Sequence, residues 1–131
     1  MHRILIIAAS LGAVAACNIK PATPTSAEFF AENCTACHGT GGKGDGPAAV
    51  GADPAVPDLT RIAARRGGAF PWVSVMNQID GYSRGGHGMM PEFGEILEGD
   101  TMLIDTGDGV MTPTPVRLVA LTAYLESLQQ P

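Results

Sequence analysis

"ENCTACHGTGGKGDGP" (Glu32–Pro47) carries two cysteines two residues apart, a histidine directly after the second, and a run rich in glycine. Structural zinc would normally need four protein ligands, and the adjacent Cys37 and His38 fit poorly around one ion. No second cysteine pair exists to complete such a site. A thioredoxin-like dithiol opens a helix after a strand, inside a βαβ pattern. Here the pair closes a predicted helix in a chain with little strand. One chemistry suits all three side chains. The thiols of Cys34 and Cys37 can add to the two vinyl groups of haem, and the C-x-x-C spacing reaches both. His38 is then held under the iron as an axial ligand.

Outward from the motif, Thr25 and Glu28 have capping-box spacing, and the residues after them predict a helix over Ser26–Ala36. Residues 39–60 turn to Gly, Pro, Asp and Ala, a long irregular loop of the kind kept for function or for wrapping a large group. The Gly39–Gly46 run lacks the G-x-x-x-x-G-K-[ST] pattern of a phosphate loop. Short helices are expected at Asp58–Arg65 and Pro91–Leu97. A clearer one spans Ala69–Asp80, with Pro71 early in its first turn and Gly81 ending it. A small β-hairpin near 101–112 turns at Thr106-Gly107-Asp108-Gly109. Thr114 and Pro115 predict the start of a last helix, whose Leu118, Leu121, Leu125 and Leu128 recur at helical steps.

The chain has 131 residues and begins with Met1-His2-Arg3, an apolar run Ile4–Ala16, and Cys17. That run is too short to anchor stably across a bilayer and predicts a signal peptide over 1–16. "VAAC" (Val14–Cys17) resembles the lipobox of bacterial lipoproteins, in which the chain is cut before a cysteine that then carries lipid. The third cysteine, odd in an exported protein, thereby acquires a role: Cys17 is the expected lipidation site. Residues 17–25 form a polar, Pro-containing linker and anchor, and 26–131 the domain. About 115 residues remain after the signal, with 17 Gly and 10 Pro in the chain and only 5% aromatics. Such a chain builds a marginal core from protein alone, and a bound apolar cofactor would complete it. The net charge of −5 lacks the basic footprint of a nucleic-acid binder.

Residues 26–129 resemble a class I c-type cytochrome domain, of the bacterial monohaem kind. The likeness rests on "CTACH" with the downstream "MMPEFG", and on "GKGDGPAA", "PDLT" and the terminal "LTAYLESL". It implies an all-α cytochrome c fold, with crossed N- and C-terminal helices around one covalently attached haem c. The hairpin would be an insertion in that fold.

"GHGMMPEFG" offers His87, Met89 and Met90 for the open face of the iron. The resemblance selects Met90, the methionine directly before proline, and implies that a proline carbonyl receives the second ring proton of His38. Pro57 is the candidate and Pro54 the second choice. Trp72, Tyr82 and Arg84 are candidate partners for haem propionates, and Phe30 and Tyr124 are expected to meet between the terminal helices. Met76, Met102 and Met111 are read as packing. Residues 91–109 hold six carboxylates and no Lys or Arg, opposite in sign to the Arg61, Arg65 and Arg66 cluster.

The resulting expectation is a periplasmic electron-transfer protein with His38 and Met90 on the haem iron. It would exchange electrons with redox protein donors and acceptors, be held at a membrane through Cys17, and not act as an enzyme. The competing expectation is a gas sensor or peroxidase-like site with an open or displaceable distal ligand.

Overall fold

Thr25 starts the first helix with a reciprocal cap. Its hydroxyl accepts the Glu28 N–H at 3.3 Å, and the Glu28 carboxylate accepts the Thr25 N–H at 2.7 Å. These bonds from Thr25 hold the Glu28 carboxyl below its ordinary range. A lowered folded-state value means the cap is at full strength above the ordinary carboxylate range and fades as pH falls through the lowered value. Thr25→Ala is expected to cost about 1 kcal/mol of stability, read as a fall of several degrees in Tm.

A computed structural model describes residues 23–84 and 88–131. The expected signal stretch, the lipidation candidate Cys17 and His87 lie outside the described residues. The element order is α1 (Ser26–Asn33), α2 (Thr35–His38), α3 (Trp72–Asp80), α4 (Gly94–Leu97), β1 (Thr101–Asp105), β2 (Met111–Pro115) and α5 (Val116–Ser127). Single 3-10 turns occupy Pro47–Ala49, Leu59–Arg61, Ala64–Arg66 and Tyr82–Arg84.

The helix expected over Ser26–Ala36 is instead two pieces that together reach His38. Cys34, with φ −115°, caps α1 and opens α2. α3 begins at Trp72 rather than Ala69, with Pro71 in the capping position, and ends where Gly81 turns left-handed at φ 85°. Asp58–Arg65 does not form one helix. Asp58 Oδ1 accepts both the N–H and the hydroxyl of Thr60, closing a 3-10 turn, and a second turn ends at Gly67. Only Gly94–Leu97 of the expected Pro91–Leu97 helix forms.

α1 and α3 both pack on α5. Phe29 and Phe30 of α1, Val75, Met76 and Ile79 of α3, and Leu118, Leu121 and Leu125 of α5 are buried, with Leu97 between. The period-3.6 spacing of the α5 leucines thus puts one face inward. Phe30 and Tyr124 meet with ring centroids 5.5 Å apart, as expected for the two terminal helices. Phe29 stands edge-on to Phe93 at 6.3 Å.

The hairpin forms, pairing antiparallel from Thr101↔Pro115 to Asp105↔Met111. That register corrects the start of α5. Thr114 is a strand residue whose hydroxyl donates to the Thr112 carbonyl, so it does not cap the helix. The Val116 N–H donates to Asp100 O at 2.9 Å, so strand pairing runs directly into the first helical residue.

Candidate functional site

The loop after His38 is folded back on the motif by its own backbone. The Gly44 N–H donates to His38 O at 2.9 Å and the Gly46 N–H to Cys37 O at 3.1 Å. The Leu59 N–H then donates to Gly42 O at 2.7 Å, tying the far end of the loop down. Two glycines make the approach possible. A Cβ on Gly46 would overlap the carbonyls of Thr35 and Ala36, and one on Gly44 would overlap the Val56 carbonyl oxygen and crowd the Pro57 carbonyl. Gly44 is also left-handed, at φ 77°. The glycine run therefore serves close packing against the C-x-x-C-H turn, which brings Pro57 up to His38.

His38 and Pro57 border an apolar cavity of about 330 Å³, together with Cys34, Met90, Gln78 and Phe93. Core residues of all three main helices, including Phe30, Ile79 and Leu125, complete its wall. A smaller hollow of about 80 Å³ shares Cys34, His38, Met90 and Phe93, and adds Cys37 and Met89. Cys34, His38 and Met90 border both apolar spaces, and Cys37 borders the smaller. The size of the larger falls within the ordinary range of small-molecule sites.

His38 is buried, and burial holds its imidazole below the usual histidine range, against a smaller opposing pull from the Pro57 backbone. The ring is therefore neutral at pH 7, the form that ligates a metal. Its Nδ1 is buried without a hydrogen-bond partner. The Pro57 backbone stands as the ring's hydrogen-bonding neighbour, though the contact is too loose to pair the buried Nδ1. Burial first, and then neighbouring Cys37, push the Cys34 thiol up to about 11.

Met90 is held by the end of α3. The Gln78 side-chain amide donates to Met90 Sδ at 3.6 Å. Arg84 Nη1 donates to Met90 O at 2.9 Å and Nη2 to Pro91 O at 3.0 Å. Met89, by contrast, is 60% exposed. Pro54 is exposed as well.

Trp72, Tyr82 and Arg84, singled out for haem propionates, are not among the residues lining the larger cavity. Trp72 Nε1 donates to Glu126 at 3.0 Å, Tyr82 is 90% exposed, and two Arg84 nitrogens serve the methionine segment. Arg65 and Arg66 line the cavity instead. Arg65 is steadied by its bond to Asp58 O at 2.8 Å. Their sequence signal is a basic pair just before Gly67-Gly68 in an acidic chain.

Among the described residues no group of three or more His, Cys, Asp and Glu side chains is placed to hold a metal ion by itself. A macrocycle that brings its own four nitrogen ligands removes that need. The apolar slot, two cysteines, a neutral imidazole and a thioether on its wall are the donor set that a covalently held haem requires, so the residues fit the group. Residues 25–129 match the family model for cytochrome c. No curated protein and no solved structure matches the chain.

Proposed function

The chain belongs to the cytochrome c family, and from that premise we propose that it is an exported one-electron carrier with His38 and Met90 as axial ligands. Its cofactor is haem c, bound covalently, and its partners are redox proteins. The observation that carries the ligand assignment is the placement of a buried, neutral His38 and of Met90 on the wall of one apolar cavity.

Haem supplies the one-electron couple of its iron. The residues of this chain govern how that couple is held. Cys34 and Cys37 would carry the two thioether links, and His38 would offer an unprotonated ring nitrogen without having to lose a proton. The Met90 thioether is a soft donor that favours the ferrous state. Arg84 fixes the backbone of Met90 and Pro91 and would hold the thioether in place beside a bound haem. Phe30, Val75, Ile79 and Leu125 keep water out, and Arg65 and Arg66 offer positive charge at the cavity for the carboxylates of the porphyrin. On this reading the chain passes electrons and makes or breaks no substrate bond.

Gln78 tunes this site in our reading. A thioether sulfur has two lone pairs, so it can bind iron with one and accept the Gln78 amide hydrogen bond with the other. The bond withdraws density that would otherwise stabilise ferric iron. Gln78→Leu is expected to lower the reduction potential by a few tens of millivolts, where 59 mV is a tenfold change for one electron. Protein-film voltammetry measures this, and an unchanged potential would remove Gln78 from the account.

Export to the periplasm and a lipid on Cys17 belong to the same proposal, supported by the "VAAC" stretch and the even cysteine count that lipidation leaves. Cys17→Ser should move the protein from the membrane fraction to the soluble fraction while leaving its haem spectrum unaltered. Potentiometric titration of the matured protein tests the carrier reading. The expected result is a single reversible one-electron transition, and irreversible or absent redox cycling would sink it.

A further inference from the structure

Among the described residues nine large apolar side chains are exposed, and six of them fall between Ile96 and Val116. The hairpin holds most of these, and its register sorts them by face. Along a strand alternate residues share a side. Met102 and Ile104 therefore lie with Thr114 and Thr112, and Leu103 and Asp105 with Pro113 and Met111. Ile104 packs against the core and Thr114 is buried, so the first set faces the body. The second set faces outward. There Leu103 is 58% exposed opposite Pro113, and Met111 is 54% exposed opposite Asp105. Val110, 59% exposed, follows at the loop.

Folding does not explain this face. A two-stranded hairpin is marginal by itself and is held here by its inner side, by Val116 N–H to Asp100 O, and by Arg117 Nη1 to Ile96 O at 2.6 Å. Leu103 and Met111 gain little burial from any of these contacts. The tip is nevertheless built to a fixed shape. Asp105 Oδ1 accepts the N–H groups of Gly107 and Gly109 at 2.8 and 3.0 Å, and Asp108 Oδ1 accepts that of Val110 at 2.9 Å.

Charge states what could cover it. The chain has no Lys or Arg between Arg84 and Arg117, while Glu98, Asp100, Asp105 and Asp108 surround the apolar strip in sequence and are exposed. Interfaces commonly place an apolar centre inside a polar rim, and a single-sign rim selects a partner of the opposite sign and speeds encounter. A membrane leaflet with anionic lipids would be repelled. A second copy would set the same carboxylates against one another if the contact were isologous.

We propose that the outward face of the β1–β2 hairpin docks a protein surface with an apolar centre ringed by lysine or arginine. Docking at this face depends neither on which residue ligates the iron nor on the carrier reading, and is measured here as binding rather than as electron transfer.

The test is an amide-NMR titration of the isotope-labelled, haem-loaded protein with a synthetic amphipathic peptide bearing a leucine face rimmed by lysines. Controls are the same peptide with glutamate for lysine, and phosphatidylglycerol vesicles. The lysine peptide should shift Leu103, Val110 and Met111 saturably. That binding should weaken several-fold as salt rises to about 0.15 M, where the screening length falls to about 8 Å. The glutamate peptide and the vesicles should leave those signals in place. Leu103→Ser with Met111→Ser, both at exposed positions, should weaken binding at least about tenfold, the scale of an interface hot spot. Glu98→Gln with Asp100→Asn, which keeps the shape, should weaken it several-fold at low salt. Shifts confined to other surfaces, or full affinity in both double variants, would overturn the proposal. So would vesicles moving the hairpin signals, which would mark a membrane face. Concentration-dependent hairpin shifts without peptide would mark a contact between copies and overturn it equally.

Discussion

Met90→Ala is expected to lower the reduction potential of the haem-loaded protein by a few tenths of a volt, within the roughly 0.8 V range that axial ligands span. The thioether is a weak donor to ferric iron, so its loss to water or hydroxide stabilises the oxidised state. The same change should make the ferrous protein bind carbon monoxide readily. Met89 borders only the smaller hollow and is 60% exposed, so it is the weaker substitute, and the Gln78 amide that steadies Met90 Sδ is a poor iron ligand. Met89→Ala, the control, should change neither property. If Met89→Ala moved the potential and Met90→Ala did not, the two assignments would be exchanged. Voltammetry and carbon monoxide difference spectra read both variants.

Gly44→Ala is expected to be strongly destabilising, because it combines a strained backbone with a steric clash. A left-handed backbone at φ 77° costs a non-glycine residue about 1–2 kcal/mol. The new Cβ would also overlap the Val56 carbonyl oxygen and crowd the Pro57 carbonyl, which are backbone and cannot swing aside. Overpacking of this kind costs about 1–3 kcal/mol. Together these amount to a fall in Tm on the order of 10 °C or more for a domain this small. The damage should reach the site, because Gly44 N–H holds His38 O and the displaced segment carries Pro57. Gly51→Ala is the comparison. Its Cβ would meet nothing within 4 Å, so only the left-handed backbone at φ 78° is penalised. Equal Tm losses for the two variants would show that the loop does not press on Pro57.

These two experiments divide along the line between what sequence disclosed and what it did not. The C-x-x-C-H trio is local, so its chemistry could be read from spacing, whereas Met90 was chosen through the resemblance. The leucines of α5 declared their buried face through a period that no other element could imitate. The Thr25 cap was legible because both of its partners lie within one turn.

What escaped depends on contacts distant along the chain. The start of α5 follows from strand pairing that reaches Pro115, and nothing local forbade Thr114 from capping instead. Asp58–Arg65 has helix-compatible residues, yet the Asp58 bonds to Thr60 and the early left-handed Gly67 break it into tight turns. Gln78 and Arg84 sit twelve and six residues before Met90, and only folding brings them to it. Arg65 and Arg66 looked like surface charge because the cavity they line does not exist until α3 and α5 close around it.

The most direct test of the central claim is the absorption spectrum of the oxidised and reduced protein, matured with haem and recorded with and without carbon monoxide. With His38 and Met90 both on the iron, the oxidised form should be low-spin with a sulfur-to-iron charge-transfer band. The reduced form should be unmoved by carbon monoxide. A high-spin spectrum that shifts readily with carbon monoxide would contradict Met90 ligation, and with it the account of a carrier.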